Sequence, residues 1–137
     1  MEDSAVTFAL VTAVAWGVWS LLVKLATRTL EPAMAMVISY LAAVVVAAGY
    51  IVASGGVTPV TAAGTGYAVL GGVAASGGAV AFYIAVAQGQ TAIVTPISGL
   101  YFVVAAVLGA LVLGESLQLR QAAGILCAIV AIVLLGT

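Results

Sequence analysis

Apolar residues fill this chain in long runs, and short polar segments separate one run from the next. An α-helix rises about 1.5 Å per residue, so about 20 apolar residues cross the roughly 30 Å hydrocarbon core of a bilayer. The pattern therefore predicts transmembrane helices. Five runs come close to that length, namely residues 5–25, 32–53, 67–87, 92–113 and 117–135.

The segments between the runs carry residues that begin and end helices. Glu31-Pro32 opens the second run, and proline suits the first turn of a helix. Residues 54–66 are rich in Gly, Ser, Thr and Pro, which predicts a loop. Gly114 suits the position just after a helix, and Ser116 suits the N-cap of the next one.

Composition strengthens this prediction. The chain has 137 residues, of which 66% are hydrophobic and 5% are charged, whereas soluble domains are about 25% charged. A net charge of −1 without a basic patch argues against a nucleic-acid partner. One cysteine and no histidine leave no ligand set for a metal and no Ser-His-Asp triad. We predict an all-α integral membrane protein that is not an enzyme and has no catalytic residue, cofactor or metal site.

The few charges also bear on orientation. Glu2 and Asp3 stand where a signal peptide carries positive residues, so we expect the first helix to stay in place. An odd number of spans puts the termini on opposite sides. Lys24 and Arg28 then lie on one face and Arg120 on the other, which weakly favours a cytoplasmic Lys24 side. So small a bias leads to the hypothesis that the chain inserts in both orientations.

A series of short motifs runs through the chain in a fixed order. The motifs are Trp16-Gly17, Lys24, Pro32, Ala85-Val86, Gly89, Pro96, Leu100-Tyr101, Leu113-Gly114-Glu115, Gln121 and Gly124. Together they resemble the EamA domain of the drug/metabolite transporter superfamily over nearly the whole chain. Ser39 departs from the family, which often has arginine there, so an anion-binding role at that position is in doubt. Phe102 replaces a common proline, which predicts a straighter fourth helix.

The resemblance implies a quaternary arrangement. Full-length family members are similar to two such units in tandem, ten helices in all, with inverted halves and a substrate site near the midplane. A single five-helix unit is half of that fold, so we expect a homodimer to complete it. An antiparallel pair would imitate the ten-helix transporter, and the sequence leaves a parallel pair open. In an antiparallel dimer Lys24 of one subunit and Glu115 of the other would lie on the same face as gating or interface charges. Alternatively, Lys24 reaches the headgroups and Glu115 is a solvated turn residue.

Aromatic and small polar residues are the candidates to contact a solute. Trp16 and Trp19 share a helix face, and Trp16 lies deeper than an interfacial residue should. The predicted substrate-binding residues are Trp16, Trp19, Ser39, Tyr40, Tyr83, Thr95, Ser98 and Tyr101. The alternative for the aromatic residues is anchoring at the membrane interface. For Thr95 and Ser98 it is hydrogen bonding to carbonyls freed by Pro96.

Small residues mark the third helix. Gly72, Ser76, Gly77 and Gly78 are predicted to let another helix approach closely, because small-xxx-small spacing favours packing in lipid.

The resemblance implies a function. We predict a transporter that moves small metabolites, such as amino acids, or amphiphilic drugs by alternating access in the inner membrane of a prokaryote. No ionisable residue lies deep within a predicted span, which favours facilitated or weakly coupled transport. One alternative is a cation exporter like the small multidrug-resistance proteins, which is disfavoured because residues 5–23 hold no carboxylate. The other is a non-transporting or heterodimer subunit, including a lipid-linked sugar flippase.

Overall fold

The computed structural model describes residues 2–56 and 59–136, and within these ranges the regular structure is entirely helical. The helices are α1 (Glu2–Ala26), α2 (Pro32–Ala53), α3 (Ala62–Gln88), α4 (Thr91–Gly99), α5 (Tyr101–Val112) and α6 (Leu119–Gly136). Four stretches are long and apolar enough to cross a membrane: Ser4–Ala26, Pro32–Ala53, Ala62–Gln88 and Thr91–Val112. Leu119–Leu135 is a shorter apolar helix.

Large apolar side chains are exposed along every one of these helices. Phe8 on α1 is 73% exposed and Leu111 on α5 is 77% exposed. In water such a surface would be strongly unfavourable, whereas lipid tails solvate it without penalty. The exposed surface is therefore what a bilayer requires of helices that face it.

The chain divides into two compact units, Met1–Gln88 and Gly89–Thr137. In the first unit, α1 and α2 both pack against α3. Its buried residues are Ser20, Val23, Ala35, Tyr83 and Val86. In the second unit α4 packs against α6, and Gly109 of α5 is buried.

Both ends of α2 follow from local sequence. Pro32 occupies the first turn, where its missing N–H removes one of the unpaired donors. At the other end Gly55 and Gly56 adopt φ of 92° and 103°. Gly56 N donates to Ile51 O at 2.9 Å and Gly55 N to Val52 O at 3.3 Å, which is the Schellman arrangement that satisfies the last carbonyls of a helix.

Helix α3 begins at Ala62, earlier than the residue 67 expected from the composition of residues 54–66. Thr61 is the reason. Its Oγ1 accepts a hydrogen bond from Gly64 N at 3.2 Å, as an N-cap does, and Thr65 Oγ1 donates to Thr61 O at 2.9 Å. The Thr61 cap favours a helix start here despite the low helix propensity of Gly64.

The fourth span is interrupted, whereas the sequence predicted one helix over residues 92–113. The break lies at Leu100, between α4 and α5. At the break Leu100 N donates to Ile97 O at 3.1 Å, and Val103 N to Leu100 O at 2.9 Å, so the chain tightens to i→i+3 bonding there. Pro96 lies inside α4, but its missing N–H affects the turn before it, and the break lies four residues after it.

The connection between α5 and α6 is longer than the turn expected. Gly114 takes a left-handed φ of 69° immediately after Leu113, the C-cap of α5. The expectation that Ser116 caps α6 is wrong, since α6 begins at Leu119. Gln118 precedes the helix instead, and its N–H donates to Gln121 Oε1 at 2.8 Å. That bond is the returning half of a capping box, which leaves Ser116 in the connection.

Candidate functional site

An aromatic cluster joins α1 to α3 in the first unit. The rings of Trp19 and Phe82 are stacked, with centroids 5.0 Å apart and an interplanar angle of 15°. Tyr83 meets Trp19 edge to face at 5.9 Å and Phe82 at 6.4 Å. Stacked and edge-to-face geometries are the favourable ones for aromatic pairs. Trp19 and Tyr83, two predicted site residues, therefore meet in the seam between these helices, together with Phe82, which sequence reasoning missed.

Tyr83 is the most enclosed of the predicted substrate-binding residues. It is 1% exposed, and its hydroxyl has no hydrogen-bond partner among the described residues. A buried hydroxyl without a partner lacks the bonds that it would make to water. In this conformation the side chain is a packing residue whose polar group is unsatisfied.

A small cavity of about 140 Å³ opens beside Tyr83, between the start of α2 and the last turns of α3. Its lining residues are Glu31, Pro32, Ala33, Met36, Val80, Tyr83 and Ile84. The Tyr83 hydroxyl oxygen is inaccessible to water, so the ring rather than the hydroxyl forms this part of the wall. Glu31 is therefore the charged group in an otherwise mainly apolar lining.

Trp16, Ser39 and Tyr40, the other predicted residues of the first unit, differ in exposure. Trp16 is 53% exposed, although it precedes Trp19 by less than one helical turn. Tyr40 is also exposed, and Ser39 is half-buried. The first unit thus brings together two of the predicted residues, the half-buried Trp19 and the buried Tyr83.

Lys24 bonds to the end of α3. Its Nζ donates to Val86 O at 2.7 Å and to Ala87 O at 3.3 Å. These carbonyls belong to the last turn of the helix, where intrahelical partners run out and the helix dipole is negative. The ammonium supplies both hydrogen bonds and compensating charge. In this structure Lys24 therefore acts as a C-cap that reaches from one helix to another.

The small residues of α3 contact little within the chain. A methyl group added at Gly72, Gly77 or Gly78 would meet no atom of the described residues within 4 Å, and Ser76 is half-buried. Helical geometry puts Gly72 and Ser76 one turn apart on one side, whereas Gly77 points to another. These glycines are therefore open positions on the surface of α3.

In the second unit the predicted residues differ in environment. The Thr95 hydroxyl is buried and has no hydrogen-bond partner among the described residues. It therefore does not bond to a carbonyl freed by Pro96, which was the alternative for this residue. Ser98 and Tyr101 are exposed. Among the described buried side chains of this unit, the Thr95 hydroxyl is left unsatisfied.

Glu115 folds back on α5. A Cβ placed on Gly109 would lie 2.7 Å from Glu115 Oε2, and Glu115 N donates to Gly109 O at 3.2 Å. The residue as a whole is exposed, in the connection before α6. Its carboxylate thus rests against the last turns of the preceding helix.

Comparison with protein families decides what kind of protein carries these features. The EamA-like transporter family matches residues 3–137. The chain belongs to that family. It is therefore an integral membrane protein and a membrane transporter of the drug/metabolite transporter superfamily, and the resemblance drawn from its motifs and the all-α membrane fold are confirmed. Comparison with curated proteins and with solved structures finds no match.

Several motif residues of this EamA unit lie at helix ends. Lys24 caps α3, Gly114 makes the left-handed turn after α5, and Gln121 caps the start of α6. Each satisfies backbone groups that would otherwise be unpaired in or near lipid, where water cannot replace them. These three motif residues therefore have structural roles in the unit.

Proposed function

We propose that this EamA protein moves small solutes across the membrane by alternating access, as a dimer of two identical chains. The observation that carries the proposal is the open face of α3 formed by Gly71, Ala75 and Gly78. These residues recur at i, i+4 and i+7, so they lie on one side of the helix. The two glycines contact no other described residue within 4 Å of an added methyl group, and Ala75 is exposed.

A face of this kind favours a second helix in lipid. Because lipid tails are as apolar as leucine, helices associate through close packing, and small residues allow their backbones to approach. A second copy of α3 has the matching surface. Weak charge bias between the two membrane faces further favours a partner of opposite orientation, so we propose that the pair is antiparallel.

For the substrates we propose small metabolites such as amino acids, or amphiphilic drugs, on the strength of family membership. The exposed ring of Trp16 and the unsatisfied Thr95 hydroxyl are the groups that support solute contact most directly. The four membrane-crossing stretches contain no Asp or Glu. Proton-driven carriers keep such groups in the pathway, so we propose facilitated or weakly coupled movement. The membrane would be the inner membrane of a prokaryote.

Transport by purified protein in liposomes tests this proposal. Labelled amino acids and cationic dyes would be offered with and without a pH gradient. Uptake that exceeds that of empty liposomes and does not change with the gradient is expected. Dye movement driven by acid would instead favour a cation exporter, and no uptake of any solute would favour an accessory subunit.

Disulfide cross-linking tests the dimer and its direction. Ala75 lies near the middle of α3, and Ala68 lies seven residues earlier on nearly the same side. In a Cys127→Ala background, Ala75→Cys should form a disulfide-linked dimer in an antiparallel pair. Ala68→Cys should not, because antiparallel copies would hold those positions roughly 20 Å apart. Cross-linking at both positions would indicate a parallel pair. The absence of cross-linking at both positions would contradict packing through this face.

A further inference from the structure

The end of α3 holds a positive charge against two backbone oxygens. Lys24 Nζ lies 2.7 Å from Val86 O and 3.3 Å from Ala87 O. Lys24 is the chain's one lysine, and Arg28, the next basic residue, is exposed in the turn after α1. A single ammonium is therefore directed to this helix end.

The chemistry of that helix end suits small cations in general. The last carbonyls of a helix lack intrahelical partners and carry partial negative charge. In membrane transporters such helix ends coordinate Na⁺, and rings of backbone carbonyls replace the hydration shell of K⁺ in channels. A primary ammonium offers the same charge and three N–H donors in a similar volume. Nothing in these oxygens requires the cation to be covalently attached.

The surroundings make this position more than a surface contact. Val23 on α1 and Val86 on α3 are buried, and so is Ser20, one turn before Lys24. The Ser20 hydroxyl donates a hydrogen bond to Gly17 O at 3.0 Å. Lys24 itself is half-buried at the end of this packed seam. Partial exclusion of water strengthens the attraction between a cation and carbonyl dipoles.

We propose that the carboxyl-terminal end of α3 is a site for a small monovalent cation, and that Lys24 is its tethered occupant in this conformation. Val86 O and Ala87 O are the ligands. When Lys24 is removed or withdraws, the same oxygens accept a free ammonium or alkali-metal ion. While the ammonium is in place it fixes the end of α1 to the end of α3. The inference concerns this helix end alone and does not depend on the proposed transport function or on dimerisation.

Chemical rescue of a lysine-free variant tests the site. Lys24→Ala in detergent should lower the melting temperature by several degrees in tetramethylammonium chloride, whose cation is too bulky and has no N–H donor. Methylammonium chloride at equal ionic strength should restore at least half of that loss. Sodium and potassium chloride then report which alkali ion the oxygens accept.

Two controls separate this effect from general salt stabilisation. Wild-type protein and Arg28→Ala should melt at the same temperature in methylammonium as in tetramethylammonium chloride, because the site is filled in both. Equal loss for Lys24→Ala in all of the salts, or no loss at all, would overturn the proposal.

Labelling of the wild-type lysine keeps the test decisive if Lys24→Ala does not fold. An amine-reactive reagent should acylate Lys24 at least about tenfold more slowly in folded than in denatured protein, because charge-assisted hydrogen bonds must first open. Potassium chloride should accelerate the labelling by competing for Val86 O and Ala87 O, whereas tetramethylammonium chloride at equal ionic strength should not. Equal rates in both salts would contradict an exchangeable cation site.

Discussion

The carboxylate of Glu115 rests on Gly109, so that a Cβ added to the glycine would stand 2.7 Å from Glu115 Oε2. The backbone reinforces this contact, since Leu113 N and Glu115 N both donate to Gly109 O. Gly114 makes the return possible through its left-handed φ. The last turn of α5 and the turn after it therefore pack as one element.

This contact predicts a coupling between two substitutions. Gly109→Ala should still fold, because the new methyl group meets the flexible end of a side chain. Replacing a helical glycine by alanine stabilises by about 0.5–1 kcal/mol, but displacing the carboxylate offsets part of that gain. In a Glu115→Ala background the obstacle is gone, and the full gain should appear. A double-mutant cycle on melting in detergent measures the difference, and strictly additive effects would contradict the contact.

The buried hydroxyl of Tyr83 gives a prediction of opposite sign for two substitutions. Tyr83→Phe should stabilise the protein or leave it unchanged, because it removes an unpaired buried group that costs about 1–3 kcal/mol. Tyr83→Ala should destabilise it by about 3–5 kcal/mol through the cavity that it leaves. Denaturant unfolding of both variants provides the measurement. Marked destabilisation by Tyr83→Phe would mean that the hydroxyl is bonded in the membrane.

Gln121 is expected to stabilise the start of α6. Its Oε1 accepts the Gln118 N–H, so Gln121→Ala should cost about 0.5–2 kcal/mol, the usual range for a lost cap. Gln118→Ala is the matched control, because it keeps the backbone donor and should have little effect. Amide hydrogen exchange at Gln118 would show the loss directly. Equal destabilisation by both variants would argue that side-chain packing, rather than the cap, is what matters.

Long apolar runs sufficed to predict the membrane helices, because nothing but lipid accommodates so many exposed residues like Phe8 and Leu111. Glycine chemistry likewise predicted the turn at Gly114. The early start of α3 was readable in principle from Thr61 as a cap. The break at Leu100 was not, because Pro96 disturbs the turn before it and not the residues after it. Residue type alone predicts a loop over residues 54–66, whereas a capping analysis would start the helix after Thr61.

The contacts between helices were beyond the sequence for a physical reason. In water a helix shows which side is buried through an apolar stripe, whereas a helix in lipid is apolar on every side. The pairing of Trp19 with Phe82 and the reach of Lys24 to Val86 join positions more than sixty residues apart. No local pattern in α1 points to α3, so the aromatic cluster and the cap became visible only in three dimensions.

Substitutions of the two tryptophans of α1 should separate an effect on stability from an effect on transport. Trp19 stacks on Phe82 and contacts Tyr83, so Trp19→Ala should destabilise the first unit by about 3 kcal/mol. Trp16 is 53% exposed, so Trp16→Ala should change stability much less. If Trp16 lines the solute pathway, as proposed, its loss should raise the solute concentration needed for half-maximal uptake in liposomes. Trp16→Phe, which keeps an aromatic wall, should recover most of that affinity. Unchanged affinity and rate in Trp16→Ala would remove this residue from the pathway, while a melting temperature lowered as far as in Trp19→Ala would show that its role is packing.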